Sequence, residues 1–116
     1  MTDETPTWDE ERPIYRQLMG EVIARIIDRT FPEGELLPSV RQLASDFMVN
    51  PLTAARAYRE LEGYTESRRG IGVIVKEGAR HALLEREQKR FLREEWPGIR
   101  ARIKALELDA DELLNS

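Results

Sequence analysis

From residue 13 onward the apolar residues recur at helical spacing. Ile14, Leu18, Val22 and Ile26 stand four residues apart, with Ile23 and Ile27 widening the stripe, which predicts an amphipathic helix to about Arg29. Pro13 suits the first turn of that helix, where its missing N–H would have no partner in any case. Phe31-Pro32-Glu33-Gly34 then stops it, because proline cannot continue the helix and glycine supplies a turn. Glu35-Leu36-Leu37 is held extended by Pro38. Ser39, with Gln42 three residues on, makes a capping-box pattern in which each side chain serves an orphan N–H of the other residue. Val40, Leu43, Ala44 and Phe47 give this second helix its buried side, and Met48-Val49 ends it. Asn50 caps a third helix with Pro51 at its first position. A capped helix of about eight residues, a tight turn and a capped helix of about twelve make a helix-turn-helix.

After Gly63 the period changes. Tyr64-Thr65-Glu66-Ser67 and Val73-Ile74-Val75 are β-prone and flank Arg68-Arg69-Gly70-Ile71-Gly72, a basic, glycine-containing tip. A hairpin placed directly after a helix-turn-helix is a wing. Residues 79–114 return to helical spacing. Trp96-Pro97-Gly98 is expected to separate a helix near 79–95 from one near 97–107, and Asp109 to cap a final turn through Leu113-Leu114. The predicted fold is mainly α with a small β-hairpin: an N-terminal tail (1–12), a winged helix-turn-helix (13–78) and a C-terminal helical dimerisation tail (79–116). The recognition helix is expected at 51–62, the wing at 64–76 and the dimer helices at 79–107.

The last segment carries a narrow apolar stripe: Leu84, Phe91, Trp96, Ile99 and Ile103. It is too thin for a core of its own. The same residues of a second chain would cover it in an isologous twofold contact. The alternative is folding back on the first helix, but Ile14, Leu18, Val22 and Ile26 are already needed by the winged core. Residues 79–116 are also too few to enclose a drug-sized pocket, typically ~300 Å³ or more. That leaves the dimer cleft as the place for a small-molecule effector.

Composition excludes several chemistries. There are no cysteines, hence no disulfides, thiolate zinc sites or thiol nucleophiles, and the single His81 rules out a multi-histidine metal site. No metal or other cofactor is expected. The carboxylates are interleaved with Arg and Lys as a solvated, salt-bridged surface rather than a catalytic pair, so no enzyme is expected. No apolar run reaches membrane-span length and the acidic N-terminus is unlike a signal peptide, which predicts a cytoplasmic protein.

The formal net charge of −4 argues at first against nucleic acid, but it is unevenly placed. Residues 1–12 hold Asp3, Glu4, Asp9, Glu10 and Glu11 against Arg12, whereas residues 13–34, 35–78 and 79–116 hold three, six and eight of each sign. All of the net charge lies in the tail, where it would act as an electrostatic brake on non-specific DNA binding. Trp8 is the one large apolar group there, available to dock on the body.

At 100° per residue, Ala54, Ala57, Tyr58 and Leu61 fall on the packed side of the third helix. Leu52, Arg56, and Arg59 or Glu60 point away, with Asn50, Pro51 and Thr53 at the N-terminal tip that approaches base edges in this motif. Arg56 can give two hydrogen bonds to guanine, while Leu52 and the Thr53 methyl can meet thymine methyls. Arg68 and Arg69 sit beside wing glycines, suited to phosphates or the minor groove. The competing reading makes Arg56 and Arg59 solvated charges paired with Glu60 or Glu62, and the wing arginines an ordinary basic turn. The order of capped short helix, capped longer helix and basic hairpin favours double-stranded DNA.

Several stretches carry a resemblance: Pro13-Ile-Tyr-Arg-Gln-Leu, Phe31-Pro-Glu-Gly-Glu-Leu-Leu-Pro-Ser-Val-Arg-Gln-Leu-Ala, Val49-Asn-Pro-Leu-Thr-Ala-Ala-Arg-Ala-Tyr-Arg-Glu-Leu-Glu, and Arg68-Arg-Gly-Ile-Gly-Val-Ile-Val. Residues 13–76 resemble the GntR family of bacterial transcriptional regulators, and the Asn-Pro-Leu-Thr turn with the short helical tail is similar to its YtrA-type subfamily. The resemblance implies a homodimeric winged helix-turn-helix on an inverted-repeat operator, usually a repressor. It implies DNA contacts at Arg41, which follows the Leu-Pro-Ser motif ending at Ser39, at Asn50, Pro51, Leu52 and Thr53, and at the wing tip, Arg69 and Gly70. An arginine of some larger relatives is Ala55 here. One departure stands out: Leu61-Glu62-Gly63-Tyr64-Thr65 is two residues shorter than the usual link into the wing. Either the third helix ends early and the wing is re-aimed, or residues are missing at this point. The functional expectation is a sequence-specific DNA-binding regulator; the alternative is a winged-helix protein-interaction module without specific DNA binding.

Overall fold

The computed structural model describes residues 8–116. The chain forms two compact units, Met1–Leu83 and Leu84–Ser116. In the first, helix α1 (Ile14–Ile27), α2 (Val40–Phe47) and α3 (Pro51–Glu60) precede strands β1 (Thr65–Arg68) and β2 (Gly72–Val75), and α4 (Ala79–Arg90) begins. Helix α1 ends slightly before Arg29, whose backbone is left-handed (φ 69°). The predicted stripe is the buried one: Leu18, Val22 and Ile26 pack with Leu43 and Phe47 of α2, with Ala54 and Ala57 of α3, and with Leu61, Val75 and Leu83.

The short helices start where the polar side chains set them. Ser39 Oγ accepts from the Gln42 N–H at 3.0 Å, and Asn50 Oδ1 accepts from the Leu52 N–H at 2.8 Å. The capping box at Ser39 is half made, however. The Gln42 amide donates to Asp46 Oδ1 at 2.6 Å, one turn along the helix, instead of returning to Ser39. Met48, left-handed at φ 54°, turns the chain between α2 and α3. Across that turn, the Tyr58 hydroxyl donates to the Pro38 carbonyl at 2.6 Å and ties α3 to the entry of α2.

The wing is an antiparallel hairpin with Thr65 opposite Val75 and Arg68 opposite Gly72. The extended segment before Pro38 covers the other edge of β2. Leu37 N–H donates to the Val73 carbonyl at 2.8 Å and Val75 N–H to the Glu35 carbonyl at 3.1 Å. Both edges of β2 are therefore paired, which protects an otherwise bare strand edge. Gly72 is required at this crossing: its φ is +132°, and a Cβ there would lie 3.1 Å from Leu36 Cδ2.

The shortened link is accommodated by an early helix end. Helix α3 stops at Glu60, two residues before the expected 62, and a single 3₁₀ turn over Glu62–Tyr64 leads straight into β1. Thr65 Oγ1 donates to the Leu61 carbonyl at 3.3 Å, and Lys76 N–H closes the hairpin base on the Tyr64 carbonyl at 3.0 Å.

Trp8 docks: its ring lies 6.3 Å from that of Phe47. The Gln17 amide clamps the segment behind it, accepting from the Asp9 N–H at 2.7 Å and donating to the carbonyls of Asp9 (2.6 Å) and Arg12 (3.0 Å). Asp3 and Glu4, part of the expected electrostatic brake, lie outside the described residues.

At the start of α4 a carboxylate does the capping. Glu33 Oε2 accepts from the Arg80 N–H at 2.9 Å, while Arg80 Nε donates to the Ile27 carbonyl at 2.7 Å, at the C-terminal end of α1. One glutamate and one arginine thus fasten two helix ends.

In the second unit the helical path does not break at Trp96-Pro97-Gly98. It widens beforehand into a π-turn over Phe91–Glu95 and continues as α5 (Trp96–Ala105), followed by α6 (Ala110–Asn115), capped by Asp109. Pro97 explains the widening. Its ring would collide with the carbonyl of the fourth preceding residue in regular α-helix, and a π-turn relieves that clash without ending the helix. None of residues 84–116 is buried.

The amides of Arg80 and Gly78 hold the Glu33 carboxyl below its ordinary value of 4.5. A depressed carboxyl stabilises the fold above its unfolded pKa and loses that contribution as pH falls through the folded one. Glu33→Gln should therefore be less stable than the parent near neutrality, the gap in urea midpoint closing as pH falls below the ordinary carboxyl value of 4.5. A gap independent of pH would contradict the cap.

Candidate nucleic-acid interface

The solvent side of α3 is built by what its other side buries. Ala54 and Ala57 are fully buried and Tyr58 nearly so, which leaves Leu52, Arg56, Arg59 and Glu60 outward, as the helical angles predicted. Leu52 is 78% exposed although it is apolar. Pro51 is exposed and Thr53 half-buried at the same N-terminal tip. Asn50 spends its carbonyl oxygen on the cap, so its amide N–H groups remain for a ligand. Ser39 likewise spends its oxygen lone pair on α2 and keeps its hydroxyl proton. Arg41 projects, exposed, from the first turn of α2.

The charges on this side are largely uncompensated. Among the described residues, Arg41, Arg56, Arg59 and Arg69 make no salt bridge, whereas Arg86, Lys89, Arg90 and Arg93 on the C-terminal helical run all do. The pairing of Arg56 and Arg59 with Glu60 or Glu62, on which the competing reading rests, is absent among the described residues. Arg56 is stacked instead: its guanidinium carbon lies 3.8 Å from the centre of the Tyr15 ring. Sequence reasoning missed Tyr15. It sits on the flank of the α1 stripe, and nothing in the spacing links residue 15 to residue 56.

The wing tip is a tight turn. The Ile71 N–H donates to the Arg68 carbonyl at 3.0 Å, and of the two central residues only Gly70 has positive φ (78°), as a type II turn requires. That geometry puts Arg69 at the apex, exposed. Arg68, on the strand, reaches back to Glu66 Oε2 at 3.3 Å. The side chains lie at the tip and outer face of α3, in the first turn of α2 (Arg41) and at the hairpin tip.

Capped helices, an outward face with unpaired arginines and a basic hairpin are the layout of a winged helix-turn-helix. Residues 14–75 match the family model for bacterial regulatory proteins, gntR family. The chain belongs to the GntR family. Among its relatives is the HTH-type transcriptional regulator YhcF of Bacillus subtilis (strain 168), 33% identical over 109 residues that cover 92% of this chain and 88% of YhcF. The HTH-type transcriptional repressor YtrA of the same organism is 39% identical over 75 residues, covering 63% of this chain and 58% of YtrA. Among solved structures, a GntR family transcriptional regulator from Listeria monocytogenes superposes with a TM-score of 0.73 at 27% identity, covering 93% of this chain and 95% of that one. BusR of S. agalactiae, solved in complex with its busAB-promotor DNA, gives a TM-score of 0.56 at 28% identity, over 87% of this chain and 51% of BusR.

This GntR chain is thus a transcriptional regulator with a DNA-binding winged helix, in a family of regulators rather than enzymes. Among the described residues no group of His, Asp or Glu could hold a metal ion, and no helix is long and apolar enough to cross a membrane. In the second unit, Leu84, Trp96 and Ile103 are half-buried, while Phe91 and Ile99 are exposed.

The Asn50 cap should be measurable apart from any ligand. Asn50→Ala is expected to lower unfolding stability by about 0.5–2 kcal/mol in urea titration. An unchanged midpoint would mean that α3 starts without it.

Proposed function

We propose that this GntR protein is a cytoplasmic repressor that binds an inverted-repeat operator as a homodimer. The N-terminal half of α3 enters the major groove and the wing meets the backbone or minor groove. The observation that carries the reading is the outward face of α3: Leu52, Thr53 and Arg56 lie together on a capped helix whose arginine has no carboxylate partner. Arg56 gives paired hydrogen bonds to a guanine, and Leu52 meets a thymine methyl. Asn50 and Pro51 bring the tip of α3 to the duplex, and Ser39 does the same at the start of α2. Arg41, Arg68, Arg69 and Gly70 serve the phosphates, Gly70 by letting the backbone come close. The repressor role is supported by the named role of the relative YtrA, and contact with promoter DNA by the BusR complex.

The dimer is supported by the second unit. Phe91 is 39% exposed, Ile99 41% and Leu106 54%, a run of apolar side chains that one chain leaves in water. A second copy covers them through Leu84, Phe91, Trp96, Ile99 and Ile103, and a small-molecule effector has its place in the resulting cleft.

Selection from a random DNA pool tests the reading. It should enrich a palindrome; no enrichment at low salt would contradict specific binding and favour a protein-interaction module. Arg56→Ala should weaken operator binding by about 1–3 kcal/mol and relax preference at one base pair per half-site. Equal loss on every sequence would remove its readout role. Arg69→Ala should weaken all DNA alike and reduce the slope of log K against log salt by about one unit. An unchanged slope would take Arg69 off the phosphates. Light scattering at micromolar concentration should give a dimer that Ile99→Asp converts to monomer; a monomeric parent would overturn the tail assignment.

A further inference from the structure

The guanidinium of Arg56 is not free to sweep the solvent. Its carbon lies 3.8 Å from the centre of the Tyr15 ring, close enough for the planar cation to rest on the π-face. The ring is itself held. Tyr15 stands half-buried in the first turn of α1, and its hydroxyl oxygen accepts from Arg16 Nε at 3.1 Å. A stack of this kind uses the face of the guanidinium and leaves its in-plane N–H edge unspent. That edge is the part which forms a two-bond fork with a guanine. No described carboxylate pairs with Arg56, so the ring is the side-chain contact that sets its direction.

We propose that Tyr15 is a positioning residue for base readout, fixing the plane and direction of Arg56 before DNA arrives. The proposal rests on Arg56 reading a base, as argued above. Tyr15 then acts on specificity through Arg56, from a helix that does not itself enter the groove. Removing the ring leaves the cation in place but lets it reach several acceptors, which costs discrimination more than overall attraction.

The test uses the intact protein, the selected operator duplex, and duplexes carrying each single base-pair change. Tyr15→Leu should lower discrimination about 2- to 5-fold at the pair that Arg56→Ala relaxes, with the other positions unchanged. Tyr15→Phe keeps the ring under Arg56 while losing the hydroxyl contact to Arg16, and should retain most of the parent's discrimination. In the Arg56→Ala background, Tyr15→Leu should cause no further loss at that pair. Should Tyr15→Leu fail to fold by circular dichroism, Tyr15→Gln at this half-exposed helical position serves in its place. Uniform loss on all duplexes, or unchanged discrimination, would overturn the positioning role. If Arg56→Ala relaxes a pair while Tyr15→Leu does not, Tyr15 alone is rejected. If Arg56→Ala relaxes none, the readout assignment fails and the positioning role falls with it.

Discussion

How closely α3 lies against α1 and α2 decides everything that this protein can offer to DNA. Two fully buried alanines, Ala54 and Ala57, set that distance because they put no bulk between the helices. Tyr58 fixes the rotation about the helix axis by reaching the Pro38 carbonyl, and burial beside Asp46 pushes its hydroxyl pKa up, keeping it a neutral donor. With distance and rotation set, Leu52 and Arg56 have nowhere to go but outward. The same carbonyl belongs to the proline that follows Glu35–Leu37, the segment paired with β2, so one hydrogen bond links α3, the α2 entry and the wing.

Electrostatics divides along the chain in the same way. The C-terminal helical run is laced with i,i+3 and i,i+4 pairs such as Lys89–Glu85 and Arg90–Glu94, which neutralise it locally. The proposed DNA side keeps Arg41, Arg56, Arg59 and Arg69 out of such pairs. A net charge of −4 is therefore compatible with a surface that attracts phosphate, because the surplus acids occupy residues 1–12. The described part of that segment is pinned by Trp8 on Phe47 and by the Gln17 clamp rather than left to range over the surface.

Local chemistry made much of this legible in the sequence. Ser39, Asn50 and Pro51 announce their helix starts because capping depends on residues a few positions apart, and the α1 stripe announces its buried face by period alone. Readings failed where the deciding partner is remote or where two local rules compete. Gln42 chose Asp46 over Ser39, both being within reach on the same helix. Pro97 predicts a break, yet a π-turn absorbs its clash and the helical run goes on. The pairing of Glu35–Leu37 with β2, the Glu33–Arg80 fastening and the Tyr15–Arg56 stack all join residues far apart in sequence, and no periodicity carries such information. The two-residue deficit before the wing was visible, but its outcome, a single 3₁₀ turn, depends on Thr65 and Lys76 closing on the same short loop.

Proposed operator recognition requires α3 to lie in the major groove of both half-sites. Methylation interference at guanine N7 on the selected operator reads that groove directly. Methylation is expected to abolish binding at two symmetry-related guanine positions, about 10 base pairs apart centre to centre or a multiple of that. Interference at neither, or binding that tolerates every N7 methylation, would contradict it.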